Sequence, residues 1–305
     1  MKNFLFHRIN PKRDKLWDPM DVPLFEKCIR HITQKYSVFL FEDIAEKVDL
    51  LSNNKVASIM FDDGYKDNIE FALPILEKYN CKASFYVVTD CIDKNIPTWT
   101  HILEYSFQNT KNTNLLIDFD FVPRDLHVKK LDSPEQRLGY VRKIKPFLKT
   151  IPSSQRELVL KRIRSSFDDV QQEKIMMDWD DLKQIIEKGH YVGSHTVTHN
   201  MLATISNEEE IKFELMVSGN RIKEKLGYFP KTISYPIGSY NEVTKRIAKE
   251  TGYQIGLAVK QDVFNPYESD IFEVPRIELY NEPWWKTKMR ISNRLEQLKK
   301  IIQYR

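Results

Sequence analysis

Short apolar runs rich in β-branched residues alternate along this chain with longer segments whose apolar residues recur every three or four positions. The first pattern is that of strands buried on both faces, the second that of amphipathic helices. Strands are expected at Asn3 to Ile9, Val38 to Phe41, Val56 to Asp62, Lys82 to Val88, His190 to Gly193, Thr232 to Tyr235, Gln254 to Val259 and Ile271 to Leu279. Helices are expected at Pro23 to Tyr36, Asn68 to Tyr79, Asp178 to Lys188, Asn207 to Leu226 and Glu242 to Glu250. Gly189 and Gly227 stand where a glycine would stop the helix before it. Strand, helix and strand between Val56 and Val88 make a βαβ unit, and hence a parallel sheet.

The alternation lapses after Asp90. A helix from Thr98 to Phe107, a strand from Leu115 to Phe121 and two heavily charged helices, Pro134 to Leu148 and Ser153 to Phe167, have apolar faces but few buried-strand signals. This stretch, about 93–175, reads as a mainly helical insertion on the rim of the α/β fold. The main unit then spans 1–280, and 281–305 forms a separate tail.

Three apolar runs end in chemistry. Val56-Ala57-Ser58-Ile59-Met60-Phe61 closes on Asp62-Asp63-Gly64, His190 to Gly193 runs into Ser194-His195-Thr196-Val197-Thr198-His199, and Thr232 to Tyr235 is broken by Pro236-Ile237-Gly238. In parallel α/β folds, the carboxyl ends of the strands are where sites collect. Successive strand residues point to opposite sides, so Asp62 and Asp63 are free to take different roles, one on a metal and one on a proton. The His195-x-x-x-His199 spacing brings two imidazoles onto one ion, and two histidines plus one carboxylate leave positions open for water and substrate. Alone, paired aspartates before a glycine are often a turn, and a His-x-x-x-His pair is often two unrelated surface histidines. Together, at the ends of parallel strands, they point to a hydrolytic metal centre.

Composition narrows the setting. A net charge of +4 over 305 residues is too small and dispersed to suggest nucleic-acid binding. Cys28, Cys81 and Cys91 are odd in number and lack metal-type spacing, so reduced buried thiols are expected. His7-Arg8 interrupts the N-terminal apolar run too early for a signal peptide, and no run is long enough to cross a bilayer. A cytoplasmic location is therefore expected.

The motifs at Ser58 to Gly64, Gly193 to His199 and Ser234 to Gly238 resemble, in order, the first three motifs of the polysaccharide deacetylases. These are the family-four carbohydrate esterases, also described as the nodulation-type chitooligosaccharide deacetylase homology domain. Ala83-Ser84-Phe85-Tyr86-Val87 and the helix–Gly–strand lead-in from Trp179 to Gly193 are similar too, so the likeness covers roughly 3–90 and 175–280. The resemblance implies a distorted (β/α)7 TIM-like barrel, with its site at the strands' C-terminal face. It implies Asp62 as general base, and Asp63, His195 and His199 as ligands of a divalent metal, Zn first, with Co, Ni or Mn as alternatives. It also implies an oxyanion and substrate contact from the Tyr235 to Ile237 segment, with the Ile237 N–H as donor.

Two positions depart from the family pattern. Ser234 stands where many members carry an arginine bonded to the base, and Arg276, in Val274-Pro275-Arg276-Ile277, is the candidate to supply that guanidinium. No histidine follows His199, so the family's C-terminal Leu-x-His general acid is missing. First and last strands are neighbours in a closed barrel, so His7, at the end of the first, is a candidate to protonate the leaving amine. His101, after Trp99, is a weaker one.

The tail from Trp284 carries Met289, Leu295, Leu298 and Ile302 near helical spacing amid many cations. Such a basic amphipathic helix can lie on an anionic membrane, here its inner face, or simply pack on the barrel. The expected activity is metal-dependent removal of an acetyl group from an N-acetylated sugar of a polysaccharide or of a lipid- or nucleotide-linked precursor. The alternatives are O-acetyl or N-formyl removal by the same machinery, and a non-catalytic sugar-binding homologue. The oligomeric state is left open.

Overall fold

The runs that read as buried strands come together in a parallel sheet. A computed structural model describes residues 1–53 and 55–297. The strands are β1 (Lys2–Phe6), β2 (Ser37–Val38), β3 (Val56–Phe61), β4 (Ser84–Val87), β5 (Asn114–Ile117), β6 (Val128–Lys130), β7 (Tyr191–Ser194), β8 (Thr232–Ser234), β9 (Ile255–Leu257) and β10 (Ile277–Glu278). The main sheet has the order β10-β1-β3-β4-β7-β8-β9, with β2 pairing the start of β3, while β5 and β6 form a separate antiparallel pair. Val274 bridges Leu257 in parallel, just before the chain enters β10, so the two ends of the curled sheet are joined. This is the distorted (β/α)7 barrel.

Alternation along the strands separates two cores. Ala57, Ile59 and Phe61 of β3 face outward, into the cluster shared with Phe4, Phe6, Phe85 and the helix residues Phe25, Ile29 and Ile185. Val56 and Met60 face inward, with Tyr86, Ile255 and Leu257. The even-numbered side of β3 therefore lines the barrel, and the next even residue, Asp62, stands at its mouth.

The helices are α1 (Val22–Lys35), α2 (Phe41–Ile44), α3 (Val48–Leu51), α4 (Leu73–Lys78), α5 (Thr89–Lys94), α6 (Trp99–Asn109), α7 (Pro134–Leu148), α8 (Ser153–Ser166), α9 (Trp179–Glu187), α10 (Glu208–Leu226), α11 (Glu242–Glu250) and α12 (Trp284–Ile291). The start of the expected Asn68 to Tyr79 helix is a π-helical segment, Asn68–Ala72, which runs into α4. None of the described helices is long and apolar enough to cross a membrane. All three cysteines are buried and unpaired.

Three expected elements need correction. Only Ser37–Val38 of the Val38 to Phe41 run is near a strand; Phe41 opens α2, whose buried Glu42 accepts bonds from the hydroxyls of Ser84 (2.7 Å), Tyr86 (2.6 Å) and Thr232 (3.0 Å). A short apolar run does not distinguish a strand from a plug buried inside the barrel. Ile271 to Leu279 is not one strand, because Pro275 has no N–H to donate and separates the Val274 bridge from β10. Leu115 to Phe121 is shortened to β5.

The insertion has its own core, including Leu103, Phe107, Ile144 and Leu160, but Met201 of the barrel belongs to the same cluster and Ile237 packs on it. The Trp99 indole N–H also donates to the carbonyl of His199 at 3.2 Å. In the tail, Trp284 packs against His31 on α1, with ring centroids 5.3 Å apart, and α12 ends at Ile291 instead of running on. Asn293, at φ 64°, breaks the helix, and Leu298 and Ile302 lie outside the described residues.

Candidate active site

Chain segments leaving β1, β3, β7 and β8 meet at one end of the barrel, around a cavity of about 220 Å³ lined by His7, Asp62, Asp63, His195, His199 and Ile237. After Phe61 the backbone turns sharply. Asp63 has φ 76° and Gly64 φ 89°, a conformation that a side chain at position 64 would resist, since its Cβ would come within 3.0 Å of Ile92. The turn separates the two carboxylates.

Asp62 is 1% exposed and held by a fork of charge-assisted bonds. The Arg276 guanidinium donates to Oδ1 and Oδ2 at 2.8 Å each, and the Ser234 hydroxyl donates to Oδ2 at 3.1 Å. Arg276 also donates to Ser234 Oγ (2.9 Å) and to the carbonyl of Ala258 (3.0 Å). The serine in the place of the family's arginine thus bonds both the carboxylate and a guanidinium supplied from the segment just before β10. Burial by itself raises the Asp62 pKa, but the guanidinium, with His195 beside it, outweighs burial and holds the carboxyl below its ordinary range. Asp62 is a carboxylate at neutral pH.

Asp63, His195 and His199 place one donor atom each within 4.8 Å of one another. Asp63 Oδ1 lies 3.4 Å from His195 Nε2 and 3.3 Å from His199 Nε2. His195 Nδ1 is 2.7 Å from the carbonyl of Ser234, which can only accept, so Nδ1 carries a proton and Nε2 is the atom left to present a lone pair when the ring is neutral. Asp63 Oδ1 is buried without a hydrogen-bond partner, as is His199 Nδ1. Acceptors converging in a dry site are what a cation satisfies, and a carboxylate with two imidazoles is a fitting donor set for zinc-type ions. These residues can hold a metal.

The loop bearing the histidines is held from outside. Glu214, buried on α10, accepts from the backbone N–H groups of Val197 (2.9 Å) and Thr198 (3.0 Å) and from the Thr198 hydroxyl. It anchors a turn in which Thr196 and His199 both have positive φ, at 69° and 60°. Ile237 is also in the left-handed region, at φ 58°, a strained place for a β-branched residue.

His7 lines the cavity, with Nδ1 3.4 Å from Glu278 Oε1 and its ring edge-on to Trp17 at 5.4 Å. Two expected residues lie elsewhere. The Tyr235 side chain is fully buried in the core beside Tyr240, because the β8 alternation turns it outward, and only the turn after it reaches the cavity. His101 stacks on Tyr105 and meets Glu173 at 3.3 Å, outside the cavity lining. Sequence reasoning did not find Glu278, Glu214, Thr100, Glu104, Lys145 or Lys149, of which all but Glu214 line the cavity. For Thr100 and Glu104 there was a signal, a spacing of four on a predicted helix that places them on one face; Lys145 and Lys149 share that spacing, but Lys149 lies just past the end of the predicted helix.

A family model described as polysaccharide deacetylase matches residues 51–256. The YxkH protein of Bacillus subtilis (strain 168) is 22% identical over 212 residues, 70% of this chain and 47% of its own length. The peptidoglycan-N-acetylglucosamine deacetylase PgdA of Listeria monocytogenes serotype 1/2a (strain 10403S) is 34% identical over 74 residues, 24% of this chain and 15% of its own length. The chain thus spans about half, or less, of these curated relatives. The Streptococcus pyogenes deacetylase PplD, solved in complex with acetate, superposes with a TM-score of 0.61 at 16% identity, over 92% of this chain and 93% of that one. At that identity the likeness speaks for the fold alone.

Proposed function

The chain belongs to the polysaccharide deacetylase family, and from that premise we propose that it is a metal-dependent hydrolase removing the acetyl group of an N-acetylated sugar in a glycan or glycan precursor. The observation that carries this reading is the juxtaposition in one cavity of a base held ionised, Asp62, and a buried donor triad, Asp63, His195 and His199, with an orphaned oxygen. A divalent ion in that triad, Zn first with Co, Ni or Mn as alternatives, would polarise the amide carbonyl and the attacking water.

The chain's own residues divide the rest. Asp62 takes the proton of the attacking water; its fork to Arg276 fixes the carboxylate's orientation and keeps it unprotonated beforehand. The Ile237 N–H is the donor assigned to the oxyanion of the tetrahedral intermediate, in a turn whose strain the packing on the insertion core maintains. His7, oriented by Glu278 and Trp17, is assigned the proton that the leaving amine must receive. Water's proton goes to Asp62, the amine's comes from His7, and acetate leaves.

The test is acetate release from N-acetylated oligosaccharides by the metal-loaded protein, beside its metal content. Asp62→Asn is expected to lose roughly 10²–10⁴-fold in turnover while keeping its metal. Full activity in that variant would sink the assignment of the base, and metal without turnover on any acetylated sugar would favour a binding protein. Formate, or acetate released only from O-acetyl groups, would redirect the reading to those acyl groups. His7→Ala is expected to lose turnover and the basic limb of the pH–rate profile; an unchanged profile removes His7 from the relay.

A further inference from the structure

The insertion supplies one wall of the catalytic cavity, and that wall carries a cation with no ion-pair partner among the described residues. Thr100 and Glu104 reach the cavity from α6, and Lys145 and Lys149 from the last turn of α7 and its C-cap. Glu104 and Lys145 form a direct ion pair and cancel. Asp62 is matched by Arg276, while Glu278 accepts from the Tyr280 hydroxyl and lies beside His7. Lys149 differs: among the described residues no carboxylate lies within ion-pair distance of its ammonium and no acceptor bonds it, although its backbone N–H is tied to the carbonyl of Lys145 at 3.2 Å. Burial, and then the like charge of Lys145, pull its pKa below the ordinary lysine value against the opposing fields of Glu104, Glu278 and Asp63, so an incoming anion that bonds the ammonium is worth more than it is on an open surface.

The insertion is pinned to the histidine loop by the Trp99 bond to the His199 carbonyl, and Arg156 stacks on Trp99 at 5.1 Å while donating to Asn200. The insertion that carries Lys149 is therefore tied to the loop that carries the histidines. Lys149 lines the same cavity of about 220 Å³ as Asp62, Asp63 and the two histidines, so one bound sugar can face both.

We propose that Lys149 is a specificity residue that selects N-acetylated sugars bearing an anionic group, a carboxylate or a phosphate, next to the acetamido group. This rests on the deacetylase reading and adds a substrate class to it. The ammonium bonds the anion, orienting the sugar so that its N-acetyl group faces Asp62 and the Asp63–His195–His199 triad; Lys149 takes no part in bond making.

Three probes separate the sources of charge: the methyl glycoside of N-acetylglucosamine is neutral, N-acetylmuramic acid carries a carboxylate, and N-acetylglucosamine 1-phosphate carries a phosphate. With metal-loaded protein, kcat/KM from acetate release and Kd from calorimetry are each expressed as an anionic-to-neutral ratio. The wild-type ratio is expected to exceed one for one or both anions and to fall with added salt. Lys149→Gln should lower it about 10- to 100-fold, the scale of one charge-assisted hydrogen bond, and Lys149→Glu should lower it further. Lys149→Arg, which keeps charge and fold, should retain most of it. A wild-type ratio at or below one for both anions, or a ratio unchanged in Lys149→Gln, overturns the proposal. Absence of acetate from every probe and from N-acetylated oligosaccharides would overturn the deacetylase reading instead, and the binding ratio would then decide the role of Lys149 by the same two criteria.

Discussion

At the scale of single residues, the adjacent aspartates show how environment assigns chemistry. Asp62 and Asp63 differ by one position and a backbone turn, yet one faces a guanidinium and the other two imidazoles. The Arg276 pair is buried on both sides, with Arg276 at 0% and Asp62 at 1% exposure, so removing one partner strands the other. Arg276→Ala is expected to destabilise the fold by roughly 3–5 kcal/mol, read from urea unfolding. It also reverses a sign. A carboxyl whose folded pKa is depressed contributes stability above its unfolded pKa and loses it as pH falls through the folded value. Without the guanidinium, burial dominates and the Asp62 pKa rises, so the acid limb of the pH–rate profile should move to higher pH. An acid limb that stays in place would mean that Arg276 does not set the base's ionisation.

At the scale of elements, the histidine loop is as much a product of α10 as of β7. Its conformation needs two non-glycine residues at positive φ, Thr196 and His199, and the Glu214 carboxylate satisfies the amides and hydroxyl that this geometry exposes. Groups that hold metal ligands in place are typically worth one to two orders of magnitude in metal affinity. Glu214→Ala is accordingly expected to weaken metal binding about 10- to 100-fold in a chelator competition, with Glu214→Gln in between. Equal affinity in all three proteins would show that the turn holds itself. The same element-level view explains the tail: Trp284 and Ile291 are used in packing α12, leaving Trp285, at 64% exposure, as the aromatic facing solvent.

At the scale of the whole molecule, the site ties together segments that are far apart in the chain. Asp63 follows β3, and the histidines follow β7 across the insertion. An ion bound by the folded protein and not by the unfolded chain stabilises the whole structure, by about 4 kcal/mol when free metal exceeds its Kd a thousandfold. Calorimetry should therefore show Tm rising by several degrees with added zinc and falling with chelator. Asp63→Ala and His199→Ala should abolish that response; a full response in either would place the bound ion elsewhere.

How much of this was legible in the sequence depended on the range of the interaction involved. The Phe61-Asp62-Asp63-Gly64 turn, the His195–His199 spacing and the parallel alternation are local: strand periodicity, turn chemistry and ligand spacing act within a few residues, so the sequence by itself determined the fold class and singled out the four residues proposed as base and ligands. The sequence could also mark Arg276 and His7 as candidates, because Ser234 and the absence of a histidine after His199 left two roles vacant. Only the tertiary structure decided the rest. Closure of the barrel carries Arg276 to Asp62 and sets Glu278 beside His7, α2 turns an apparent strand into a plug, and the alternation after β8 buries Tyr235. Docking of the insertion brings Lys149 to the cavity. These are pairings between residues tens to hundreds of positions apart, created by burial and charge compensation in a closed barrel, and no local pattern encodes which distant partner will be met there.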